Sequence, residues 1–365
     1  MTKRQLWQRF IAHIDPMLML GLGLLMSTSL MLLFSASDGN WMRVGGQGAN
    51  ILVALVLMWV VANLPLHYLM RTALPIYLFG MLLLIGVALF GEISHGARRW
   101  LNLGVATIQP SELMKVGVPL MMAWYFEKHE ATLTWKNYLI AALILIVPVG
   151  LIARQPDLGT ALLITASGFY VLFLAGLSWR IIGGMVIAGL ASAPIMWNML
   201  HEYQKHRIMM LLDPTQDALG KGYHTIQGMI AVGSGGLIGK GYMAGTQTHL
   251  DFLPERTTDF IFAVYSEEFG LIGNLILLAM FGFVITRGFM ITGSASTYFT
   301  RLMAGSITLT FATYAFVNMG MVSGILPVVG VPLPLISYGG TSMLTLLLGF
   351  GMLMSIETHQ KLNKT

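Results

Sequence analysis

The stretch Leu253-Pro254-Glu255-Arg256-Thr257-Thr258-Asp259-Phe260-Ile261-Phe262, inside Leu250 to Gly270, is where the longest polar segment of a very apolar chain runs back into hydrocarbon-like sequence. At its centre lies Asp259. A carboxylate beside hydrocarbon is costly unless water, a cation or a substrate meets it, so an ionisable group at membrane depth is a candidate functional residue. The competing reading is local: Thr257 or Thr258 caps a helix whose N-terminal dipole suits a nearby negative charge. The stretch alone leaves both open.

Working outward, the 365 residues are 56% hydrophobic and 10% charged, with 27 Met and 41 Gly. That balance excludes an ordinary water-soluble globule. Apolar runs of membrane-crossing length recur along the chain, which predicts an all-α polytopic membrane protein, since every backbone polar group in lipid must be satisfied within its own segment. The net charge of +5 does not point to nucleic acid, because no basic cluster alternates with aromatics on a soluble domain. With no cysteine, disulfides and thiolate chemistry are excluded. The first run, 16–34, is too long for a signal-peptide core and lacks a small-residue cleavage site, so it is expected to be a retained span.

About ten spans are predicted, near 16–34, 49–65, 73–90, 111–126, 138–153, 157–176, 180–199, 259–285, 302–323 and 339–356, in a single domain covering 1–365. An even number puts both termini on one side. Placing them in the cytoplasm puts Lys3, Arg4, Arg9, Arg71, Lys128, Lys136, Arg180, Arg287, Arg301, Lys361 and Lys364 inside, and only Arg43, Arg98, Arg99 and Arg154 in short outer loops. The positive-inside rule favours that orientation. Spans four, six and eight then start at the outer face, each with an acid at its head: Glu112, Asp157 and Asp259. These predict one polar chamber there, although caps and first-turn acids are also ordinary helix-start chemistry. Lys115 lies one turn after Glu112 and needs a partner, Glu112 itself or Asp157 of another span.

A large extracytoplasmic loop, 200–258, is expected between spans seven and eight, with a short interfacial helix near Tyr223 to Ile230. It carries Arg207, Lys240 and Arg256. Its run Gly233-Ser234-Gly235-Gly236-Leu237-Ile238-Gly239-Lys240-Gly241 misses the Walker spacing, which would need Gly at Ser234 and Ser or Thr at Gly241. The run reads either as an amide-rich cradle for an anion or as a hinge. No His or acid pair in the loop has metal-ligand spacing. Further on, Gly324 to Gly340 is too rich in proline and glycine for a continuous helix, so a re-entrant or surface-lying loop is expected.

Two function classes remain. One is a membrane glycosyltransferase using a lipid-diphosphate sugar, with Asp259 as base and Arg99, Lys115, Arg207, Lys240 or Arg256 holding the departing diphosphate. The other is a lipid-linked precursor flippase or transporter; such proteins place their site near the bilayer midplane and often show internal repeats, whereas here the charges gather at one face and no repeat is evident.

Four motifs, in order, resemble the SEDS (shape, elongation, division and sporulation) family, in its elongation branch. They are Gly96-Ala97-Arg98-Arg99-Trp100-Leu101 with Gln109-Pro110-Ser111-Glu112; Gln155-Pro156-Asp157-Leu158-Gly159-Thr160; Phe252-Leu253-Pro254-Glu255 with Thr258-Asp259-Phe260; and Pro332-Leu333-Pro334-Leu335-Ile336-Ser337-Tyr338-Gly339-Gly340. The resemblance implies a peptidoglycan glycosyltransferase that polymerises lipid II at the periplasmic face of the bacterial inner membrane for cell elongation and rod shape. It implies that Asp259 is catalytic, activating the acceptor 4-hydroxyl, and that Glu112, Lys115 and Asp157 form a buried polar cluster with Arg99 as an outer arginine. Implied partners are a class B penicillin-binding transpeptidase, MreC and MreD. A divalent cation, Mg²⁺ or Mn²⁺, is compatible with carboxylates beside a diphosphate. Many relatives carry His where this chain has Thr257, so a second base at that position is not expected.

Overall fold

The computed structural model describes residues 13–94, 97–102, 107–155, 157–199, 221–249, 252–253 and 255–364, with Lys205 and Met209. It is mostly helical: α1 Pro16–Ala36, α2 Trp41–Ala62, α3 Leu66–Phe90, α4 Pro110–His129, α5 Trp135–Ala153, α6 Leu158–Leu174, α7 Trp179–Met199, α8 Lys221–Ser234, α9 Thr246–His249, α10 Ile261–Ser294, α11 Tyr298–Val322 and α12 Gly340–Lys364. Seven of the described helices (α1, α2, α3, α5, α10, α11 and α12) are long and apolar enough to cross a membrane.

Three expectations change. The chain is not purely helical, because β1 Glu92–Ser94, β2 Ala97–Asn102 and β3 Thr107–Ile108 pair as a small antiparallel sheet between α3 and α4. Strands this short leave little period-two signal to read. Helix α2 also begins at Trp41 rather than near 49, because Asn40 caps it by accepting from the amides of Met42 and Arg43. Arg43 is therefore a first-turn helical residue and not part of a loop.

The larger change concerns α10. Gly270 sits at φ 64°, ψ −160° and divides the helix into two limbs. The limbs fold on one another: the Tyr265 hydroxyl donates to the Gly273 carbonyl at 3.0 Å, and Ser266 Oγ to Asn274 Oδ1 at 3.0 Å. In a continuous helix residues eight apart stand about 12 Å apart, so those bonds require a reversal. The crossing limb starts at Leu271 and runs antiparallel to α1, with Val284 against Gly21 and Arg287 at Asp15. Asp259 precedes the short limb and does not head the crossing one.

At the end of the bundle opposite Asp259, Arg287 closes a buried ion cluster. Its Nε and Nη2 donate to the two oxygens of Asp15 at 3.0 and 2.6 Å, and Nη2 also meets Glu357 at 2.8 Å. This ties the start of α1 and the far end of α10 to the last turns of α12. Arg287→Ala would remove the guanidinium shared by Asp15, 2% exposed, and Glu357. We expect a stability loss of about 3 kcal/mol, read as a lower unfolding midpoint in detergent, because breaking a buried ion pair from one side costs more than the intact pair contributes.

Candidate functional site

The loop after α11 supplies the floor of the site. Among 323–339 the chain makes turns but no helix, and it dips into the bundle. Ser29 Oγ donates to the Ile336 carbonyl at 2.7 Å, and Gln47 Nε2 reaches both Ser29 Oγ (3.3 Å) and the Ser337 carbonyl (3.1 Å). Ser29 stands seven residues before the end of α1, about 10 Å below it. The proline-rich loop is thus re-entrant and not surface-lying. Leu335 is held at φ 64°, strained for a side-chain-bearing residue, with its side chain buried at 2% exposure.

That loop grips the Asp259 turn from below. Ser337 Oγ donates to the Thr258 carbonyl at 2.7 Å, and the Tyr338 amide to the Thr257 carbonyl at 2.9 Å. From α11, Asn318 Nδ2 donates to the carbonyls of Asp259 (2.8 Å) and Val331 (2.7 Å), while its Oδ1 is buried without a partner among the described residues. Gly330, at φ 72°, leaves open the space beside Asp259 Oδ2, where a Cβ would come within 3.4 Å. The backbone of Asp259 is therefore fixed on three sides, and among the described residues its carboxylate meets no hydrogen-bond donor. Burial, with like-charged Glu255 adding to it, pushes that carboxyl up to about 6.

The second cluster adjoins the first through α11. Tyr314, one turn from Asn318 on the same face, has Lys115, Glu112 and Asp157 as electrostatic neighbours. Lys115 pairs with Glu112 on its own helix at 2.6 Å and lies 5.4 Å from the Tyr314 ring centre. The pairing with a carboxylate of another span does not form, since Asp157 is already satisfied by Gln109 Nε2 (3.0 Å) and the Thr160 amide (3.2 Å). The Glu112 pair is also favoured by spacing, three residues apart on one helical face. Thr345 of α12 donates to the other Glu112 oxygen at 3.2 Å. Below them a narrow cavity of about 50 Å³ runs between α4, α11 and α12, its head polar and its shaft lined by residues such as Val116, Ile307, Phe311 and Phe350.

The predicted diphosphate holders divide. Arg99, on β2, donates to the Gln155 carbonyl at 3.3 Å. Arg207 lies outside the described residues. Lys240 and Arg256 are committed elsewhere: Lys240 Nζ to the fully buried Glu267 at 2.7 Å, and Arg256 to Asp38 at 2.6 Å and to the Thr248 carbonyl. Charge neutralisation of buried or nearby acids outcompetes their remaining free, which no count of basic residues reveals. The residue that the sequence reading passed over is Arg43, whose exposed guanidinium reaches Thr257 Oγ1 at 3.4 Å, two residues from Asp259. Its i, i+4 spacing with Gln47 was the available signal. Among the described residues no group of three His, Cys, Asp or Glu could hold a metal.

Fold and site together define a polytopic helical membrane protein with a buried carboxylate whose backbone is held by the re-entrant loop and α11. The sequence model of the FtsW/RodA/SpoVE family, described as "Cell cycle protein", matches residues 10–362, and the chain belongs to that family. It is 49% identical to peptidoglycan glycosyltransferase MrdB of Escherichia coli K12, over 99% of this chain and 97% of that protein. It is 35% identical to the protein of the same name from Helicobacter pylori 26695, over 96% and 91%. Among solved structures, a chain of a peptidoglycan synthase complex coordinating polymerization and crosslinking superposes with TM-score 0.81 at 30% identity, covering 95% of this chain and 98% of that one. The rod shape determining protein RodA of Thermus thermophilus superposes with TM-score 0.71 at 28% identity, covering 94% and 96%.

Proposed function

We infer that the chain is a peptidoglycan glycosyltransferase that serves cell shape, with Asp259 as the general base of polymerisation. The observation that carries the assignment of the base is a carboxylate whose backbone is held from α11 and the re-entrant loop while its oxygens meet no donor among the described residues. Such a group is poised to take a proton from a substrate hydroxyl, and its raised pKa brings it nearer the working range of a base.

The substrate is lipid II. Asp259 takes the proton of the acceptor 4-hydroxyl; the resulting oxygen attacks the anomeric carbon of the donor sugar from the face opposite the leaving group. The carbon–oxygen bond to undecaprenyl diphosphate breaks, and the diphosphate departs with the electron pair. Positive charge near the leaving group comes from Arg43, Arg99 and Lys115, of which the two arginines offer two-pronged contacts. The apolar shaft below Lys115 suits a prenyl chain whose head stays at the polar level. Among the described residues no three His, Cys, Asp or Glu could hold a metal; a divalent cation, Mg²⁺ or Mn²⁺, would be held with the help of the substrate diphosphate, and no step above depends on it.

The chain has ten crossings, both termini in the cytoplasm, and its site on the periplasmic side of the inner membrane, consistent with the basic residues collected on the opposite side. Its partners are a class B penicillin-binding transpeptidase and the elongation proteins MreC and MreD. The flippase alternative is separated by two assays on one preparation. Liposomes holding the protein with its transpeptidase are expected to build glycan strands from lipid II; labelled lipid II crossing the bilayer with no strand formed would overturn the enzymatic reading.

A further inference from the structure

The glycine-rich run at 233–241 has no place in the chemistry above, yet it meets the polypeptide at the one place where α10 is broken. The amides of Lys240 and Gly241 donate to the carbonyls of Glu267 and Glu268, each at 3.0 Å. The carbonyls of Gly236 and Leu237 in turn accept from the amides of Leu271 and Ile272, at 2.9 and 3.0 Å. Those four groups are the ones a helix break leaves orphaned, two acceptors ending one limb and two donors starting the next. The approach is too close for any side chain: a Cβ on Gly235 would lie 2.0 Å from the Ser266 carbonyl oxygen, and one on Gly239 2.1 Å from that of Glu268. Both sequence readings of the run, anion cradle and hinge, give way to a backbone plug.

Side chains lock the plug. Glu267 is fully buried, and its carboxylate accepts from Lys240 Nζ at 2.7 Å, Thr246 Oγ1 at 3.1 Å and the Gln247 amide at 3.0 Å. Lys240 bonds Thr246 as well, at 2.7 Å. Just after the run, Tyr242 Oη donates to the Met31 carbonyl of α1 at 2.8 Å, and Ser35 of α1 donates to Glu268. The short limb 261–269 is therefore clipped to α1 at one end and carries Asp259 at the other.

We propose that Lys240 is a positioning residue for polymerisation: by neutralising Glu267 at the break it holds the short limb folded and so sets where Asp259 stands. The proposal rests on the reading of Asp259 as base. The limb is about 12 Å long, so a swing of about 5° at Gly270 moves its far end by about 1 Å. A displacement of that size from a remote change costs on the order of 100-fold in rate.

The test uses the full chain in complex with its transpeptidase, with lipid II titrated as substrate and amide hydrogen exchange followed over 261–272. In Lys240→Ala, kcat is expected to fall about 10- to 100-fold with KM within about threefold, and exchange over the limb to quicken. Lys240→Arg keeps most of the activity. The double variant Lys240→Met with Glu267→Gln, which removes both charges and leaves no stranded carboxylate, recovers at least about tenfold over Lys240→Ala; these two carry the test if the single variant does not fold. A raised KM with kcat intact would make Lys240 a substrate contact and overturn the proposal, as would a double variant no better than the single. Exchange is independent of what Asp259 does chemically. If Asp259→Asn stays active while Lys240→Ala still loosens the limb, the base assignment falls and the clip stands; unchanged exchange removes the clip whatever Asp259 does.

Discussion

With Asp259 as the proposed base, Asp259→Asn is expected to lower lipid II polymerisation by about 10²- to 10⁴-fold, the usual contribution of a positioned general base, while the protein stays folded and bound to the transpeptidase proposed as its partner. Asparagine keeps the side-chain shape and loses the ability to take a proton. Its effect is separable from misfolding because the contacts that fix this turn, from Asn318, Ser337 and Tyr338, all go to main-chain atoms or come from them, and the substitution leaves them in place. Thermal stability is expected to be equal or higher, since burial disfavours the charged carboxylate and the neutral amide removes that cost. The same shift sets a pH dependence. The base works only when ionised, and its carboxyl is pushed up to about 6, so wild-type kcat/KM should hold near neutral pH and fall below about pH 6, approaching tenfold per unit. An unshifted carboxylate would hold activity to about pH 4. Full polymerisation by purified Asp259→Asn would end the assignment, and activity still level at pH 5 would show that another group sets the profile.

Gly270→Ala is expected to have the next largest effect. At φ 64°, ψ −160° the backbone is in a region essentially reserved for glycine, which costs about 1–3 kcal/mol for any other residue. Space is lacking too: the added Cβ would lie 2.3 Å from the Gly239 amide nitrogen and 2.8 Å from the Leu237 carbonyl oxygen, both backbone atoms of the plug. The variant has two ways to respond. It unfolds at lower temperature with the break intact, or it straightens toward one continuous helix and carries the Asp259 turn away from Asn318 and Ser337. Both end in loss of polymerisation, and an unfolding midpoint within about 1 °C of wild type with full activity would refute the fold-back at Gly270. Gly282, on the crossing limb, is the matched control: an added Cβ there would meet nothing within 4 Å, so alanine should be tolerated.

Much of this architecture is readable in the residues alone. Long apolar runs with few charges have one economical arrangement, helices that satisfy their own backbones, and their approximate limits follow from where polar residues and prolines interrupt them. The acids at 112, 157 and 259 stand out for the same reason: charge in so apolar a chain is expensive and needs a purpose. The proline- and glycine-rich stretch before α12 announces that it is not helical. Three features are not readable in that way. The reversal at Gly270 looks like an ordinary glycine in an apolar run. Lys240, Arg256 and Arg43 are indistinguishable as basic residues until it is known which acid each one faces. The strands at 92–108 are too short to show a period.

By itself, then, the sequence determined the class of fold and singled out Asp259 as the candidate on which the proposed chemistry rests, because hydrophobic length and the cost of a buried charge are properties of a segment and need no partner. Only the tertiary structure decided how the Asp259 turn is held, that the glycine run mends a broken helix, and that Lys240 and Arg256 face Glu267 and Asp38 while Arg43 reaches Thr257. Those outcomes rest on bonds between residues far apart in the chain, Ser29 with Ile336, Arg43 with Thr257, Arg256 with Asp38. The Lys115–Glu112 pair is written in local spacing, but which carboxylate Lys240, Arg256 or Arg287 reaches is set by how separate segments pack.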